Sequence, residues 1–152
     1  MTARRFMLAT AIACLAAAPA ATWAVTPAVK TSITVTHAWV RLLPLDLPAG
    51  GYAVIINNSA TPARLTGASS PAYRSVMLHQ STQSGGMSRM HMVKQLVIPP
   101  HGRVQLAPGS YHLMLTHATH TIAVGDKVPV TLHFADGKTL TVDFAVRPAN
   151  AH

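Results

Sequence analysis

The chain has 152 residues, enough for one domain with a core of its own, and sets twelve Lys and Arg against four Asp and no Glu, for a formal net charge of +8. The basic residues are scattered and form no run, which with the leader described next disfavours nucleic acid as a partner. The surplus fits an acidic partner, an anionic membrane surface or plain solubility.

The first 24 residues read as a secretory signal peptide. Arg4 and Arg5 supply the positive start, Phe6 to Ala18 is apolar and alanine-rich, and Thr22-Trp23-Ala24 is a small-x-small cleavage site before Val25. The apolar run is short for a bilayer span and is interrupted by Pro19, so no transmembrane span is expected in the mature chain. Arg4-Arg5 also admits twin-arginine export. A lipoprotein reading would make Cys14 the first mature residue, but Ala11 stands where leucine is usual. Residues 25–152 are then one exported domain without a thiol, and the expected location is the periplasm.

That domain reads as all-β. Ile33, Val35, His37 and Trp39 alternate with Thr34, Thr36 and Ala38 to give a first strand, which the prolines of Arg41 to Gly51 break. Tyr52 to Asn57 is apolar on both faces and predicts a buried strand, and Ala63 to Ala68 a shorter one. At the C-terminus Val128, Val130, Leu132 and Phe134 alternate with polar residues up to Asp136-Gly137. Leu140, Val142, Phe144 and Val146 then resume, predicting a hairpin with a tight primed turn. Pro129 argues that one end of this hairpin lacks hydrogen bonds on one side. No amphipathic helix of ten residues appears outside the leader. Many short strands punctuated by Gly and Pro favour a sandwich of seven to nine strands.

The chemistry is concentrated in MLHQSTQSGGMSRMHM, Met77 to Met92, and PGSYHLML, Pro108 to Leu115. Among their side chains are the imidazoles of His79 and His112 and the thioethers of Met90 and Met114, and neither stretch contains a carboxylate or thiolate. Thioether sulfur is soft and neutral, so the mixture selects Cu(I), whereas zinc sites draw on thiolate, imidazole and carboxylate. His112 and Met114 lie two apart and share one strand face, leaving Leu113 and Leu115 for the core. A hairpin turning at Ser84-Gly85-Gly86 would bring His79 and Met90 side by side.

The spacing H-x10-M-x21-H-x-M resembles that of the periplasmic copper chaperone family PCu(A)C. The resemblance extends through HAWVR (His37 to Arg41), GGYAVIINN (Gly50 to Asn58) and VGDKVPVTLHF (Val124 to Phe134), covering roughly residues 33–147. It implies a cupredoxin-like Greek-key β-sandwich in which His79, Met90, His112 and Met114 hold Cu(I). It further implies delivery of that copper to the copper centre of cytochrome c oxidase or another periplasmic acceptor.

Other residues invite weaker readings. Met77 should share the strand face of His79, as auxiliary thioether or as packing; Met92 could share the face of Met90, with His91 pointing away; His117 and His120 fit solvated loop positions. Without a cysteine the domain cannot be a blue-copper carrier or a CxxxC chaperone. No Ser/His/Asp set or paired carboxylates point to an enzyme. A periplasmic copper buffer or resistance protein is the alternative to a chaperone, and an adhesion-type sandwich with incidental Met and His is a third reading.

Overall fold

The computed structural model describes residues 32–45 and 47–152, so the leader lies outside the described residues. These residues form ten strands and no helix: β1 Ile33–Arg41, β2 Ala49–Asn57, β3 Ala63–Ser69, β4 Tyr73–Ser84, β5 Met87–Met92, β6 Leu96–Ile98, β7 Arg103–Leu106, β8 Tyr111–Ala118, β9 Lys127–Phe134 and β10 Thr139–Arg147. The surplus over seven to nine strands comes from β6 and β7, of three and four residues, which are too short to carry an alternation legible in sequence. Among the described residues no helix is long and apolar enough to cross a membrane.

Hydrogen bonding orders the strands β5-β4-β8-β2-β1-β10-β9-β3-β6, with β7 added on β2. Every pair is antiparallel except β1 with β10, where Trp39 lies beside Ala145. The sheet folds over so that β3 touches β4, although the two are far apart in this order. Leu78, Leu113 and Leu115 from one side and Leu132, Phe144 and Val146 from the other close into one core. Burying each such side chain contributes about 1.5–3 kcal/mol.

The C-terminal hairpin forms as the alternation predicts, with Leu132 opposite Leu140, Val130 opposite Val142 and Val128 opposite Phe144. Its turn is not primed. Gly137 is left-handed (φ 81°) and its N–H donates to Phe134 O at 3.0 Å, while Asp136 keeps negative φ, giving a type I turn closed by a glycine bulge. Pro129 lies beyond the last rung that β9 shares with β3, Ser69 with Thr131, so its missing N–H breaks no ladder on that side.

β1 departs from its expected single face. His37 takes a left-handed φ of 52°, and one extra residue is accommodated between Thr36 and Trp39. This bulge reverses the strand's phase: Ile33 and Val40 enter the core, whereas Trp39 turns to the outer face with its cross-strand partner Tyr52. Both rings are only 7% exposed although they lie outside the main core cluster. They stack at 4.6 Å, with the Arg41 guanidinium over both and Arg147 over Trp39.

Candidate metal centre

Three strands build the candidate site. In β4 and β8, His79 lies directly opposite His112 and Met77 directly opposite Met114. Directly opposed residues share a face, and here it is the outer one, because the intervening Leu78 and Leu113 are buried in the core. The sequence therefore places His112 and Met114 as expected. β5 adds Met90 and Met92 to the same face, while His91 points away and its Nε2 lies 3.2 Å from Gln80 Oε1.

The register of β5 differs from the expected one. Gly85 and Gly86 both have positive φ, 58° and 75°, and form a two-residue type I′ turn between Ser84 and Met87. Counting back along this ladder, Ser81 faces Met90 and His79 faces Met92. Met90 is thus the diagonal neighbour of His79, one step nearer the turn.

The imidazoles stand edge to face with centroids 5.9 Å apart, a separation one ion can bridge with metal–nitrogen bonds of about 2 Å. His112 is 7% exposed, and its Nδ1 lies 3.1 Å from Ser110 O. A carbonyl only accepts, so Nδ1 carries the proton and Nε2 keeps the lone pair that a metal needs. The same carbonyl accepts the N–H of Ser81 at 3.1 Å, which fixes this end of the β4–β8 ladder. His79 Nδ1 is buried and has no hydrogen-bond partner. An orphaned buried ring nitrogen is costly in an apo protein and is the donor a soft cation would satisfy.

Exposure is graded across the set. His112 is buried, His79 and Met114 are half-buried, and Met90 is 55% exposed. Beside Met114 the floor is Gly50, over which the Tyr52 ring lies; a Cβ there would come within 2.5 Å of Tyr52 Oη. The cation–π stack thus adjoins the donors. Nothing in the sequence reading singled it out, since the bulge that forms it breaks the alternation. His117 ends exposed at the margin of β8 and His120 lies exposed in the following bend, away from the set.

Burial, then the charges of His112 and His91, hold the His79 pKa below its ordinary value. An unfolded His titrates near pH 6.5, so below that value the unfolded chain binds the proton first. Apo stability is expected to fall as pH drops from about 6.5 toward the depressed native pKa and to lose nothing further from this group below it. Thermal midpoints between pH 8 and pH 5, compared with those of His79→Gln, would check this. A slope unchanged by the substitution would assign the effect elsewhere.

The profile of the LpqE-like family matches residues 33–146. The chain belongs to this family, which is the PCu(A)C family. A relative in Leifsonia xyli subsp. xyli, "Putative lipoprotein Lxx21020", is 32% identical over 116 residues, 76% of this chain and 69% of its own length. The copper-bound PCuAC domain of PmoF2 is 28% identical with a TM-score of 0.64, over 78% of this chain and 94% of that one. Cu(I)-bound DR1885 from Deinococcus radiodurans, solved in solution, is 37% identical with a TM-score of 0.60, over 72% and 74%. The cupredoxin-like fold of the PCu(A)C family is therefore the fold of this chain. Among its described residues no three His, Cys, Asp or Glu side chains gather as a metal site.

Proposed function

We propose that this protein is a periplasmic copper chaperone that holds Cu(I) through His79, Met90, His112 and Met114 and hands it to the copper centre of cytochrome c oxidase. One observation carries the reading: His79 and His112 face each other across β4 and β8, and the His79 ring nitrogen is buried without a partner on the face that presents the thioethers. Similarity to a copper-bound domain and to a protein solved with Cu(I) supports the metal and its oxidation state. The family's lipoprotein description supports a location outside the cytoplasm.

The exposure gradient fits transfer rather than catalysis. An acceptor's ligands can approach from the Met90 side and displace that weak donor first, while the buried His112 keeps the ion oriented. Copper stays Cu(I) throughout and is cargo. Cu(I)-loaded protein mixed with the apo copper domain of a cytochrome oxidase subunit is expected to lose its copper to that domain, read by separating the two and assaying metal. Copper retained by the donor would instead identify a buffer.

A further inference from the structure

The β4–β5 register places a donor outside the four-residue set. Met92, not Met90, lies directly across from His79, so His112, His79 and Met92 form one straight row over β8, β4 and β5. Directly opposed Cβ atoms are about 4.5–5.5 Å apart, against about 7–8 Å for diagonal neighbours. Met92 is 60% exposed, belongs to no core cluster and shares the face of the imidazoles. The ladder continues past it, Val93 N–H donating to Leu78 O at 2.8 Å, so its backbone is held beside His79. β5 bonds to β4 alone, and its side chains are exposed along its whole length.

We propose that Met92 is a further Cu(I) donor that exchanges with Met90, an inference that rests on the copper reading above. His79, His112 and Met114 hold the ion while the fourth position passes between two thioethers on β5. One Cu–S bond forms as the other breaks; no proton moves, because thioether is neutral, and the metal stays Cu(I). The exchange keeps one sulfur on the ion while the other is open to displacement by an acceptor.

The test is a competition titration with a Cu(I) chelator under reducing conditions on wild type, Met90→Leu, Met92→Leu and the pair. Met87→Leu is the control, because Met87 lies on the opposite face of the same exposed strand. Each single substitution is expected to lower affinity by about tenfold or less, and the pair by more than the product of the two, since each sulfur covers for the other. X-ray absorption of Cu(I)-loaded Met90→Leu is expected to keep the wild-type number of sulfur neighbours. Met92→Leu indistinguishable from Met87→Leu, with the pair no weaker than Met90→Leu, would overturn this inference alone. Failure of wild type to take up Cu(I) would overturn it together with the copper reading.

Discussion

Replacing Met90 and Met114 together by leucine is expected to lower Cu(I) affinity by more than about a hundredfold, since losing even an outer partner of a metal ligand costs about 10–100-fold. Leucine keeps the apolar bulk, and neither position belongs to the core cluster, so the fold should survive. Cu(II) prefers nitrogen and oxygen in tetragonal geometry, so its binding, supported by His79 and His112, is expected to change far less. Oxidising the methionines to sulfoxides should act in the same direction as the substitutions. The measurement pairs a Cu(I) competition titration under reducing conditions with a Cu(II) titration in air. A double variant that held Cu(I) as tightly as wild type would remove the thioethers from the site.

How far the site was legible depends on how local the determining geometry is. His112 and Met114 follow from strand periodicity alone, because i and i+2 share a face whatever the rest of the chain does. The partner of His79 depends on turn type. Gly85-Gly86 permits a left-handed turn but also longer loops, and a slip of one residue would move every β5 side chain to the other face. The I′ geometry settles the register two residues away from the expected pairing, which keeps the same face and fixes the place of Met92.

The same contrast runs through the fold. The β9–β10 hairpin was readable because both strands alternate without interruption. The phase of β1 was not, because a bulge at a non-glycine residue, His37, leaves no mark in composition. Trp39 and Tyr52 consequently meet outside the main core, beside Gly50 and the donors, and Arg41 is drawn over them, its Nη2 also donating to Ala151 O at 3.1 Å. That arrangement borders the open outer face next to Met114.

At the opposite end of β2 from the donors, Asn57→Asp is expected to destabilise the protein by about 3–5 kcal/mol, the range for an uncompensated buried charge. Asn57 is fully buried. Its Nδ2 donates toward Thr61 O at 2.8 Å and Ile98 O and Pro99 O at 3.2 Å, while Oδ1 accepts from Ser59 N–H and Ser59 Oγ–H at 3.0 and 2.7 Å. One side chain thus ties the end of β2 to the loop before β3 and to the end of β6. Aspartate has the same shape, keeps the bonds from Ser59, and sets a second carboxylate oxygen against three carbonyl oxygens with no donor between them. The cost is a large share of a typical total stability of about 5–15 kcal/mol. Burial and the facing carbonyls would raise the carboxyl pKa above its unfolded value of about 3.9. A raised acid pKa means that the native state binds the proton more tightly, and a protonated carboxyl can donate one bond. The penalty is therefore smallest below the unfolded pKa and grows as pH rises toward the native one. Urea midpoints of wild type and variant at pH 4 and pH 7 would read both the size and the sign. A variant within about 0.5 kcal/mol of wild type at pH 7 would mean that the cluster is not what secures this end of the sandwich.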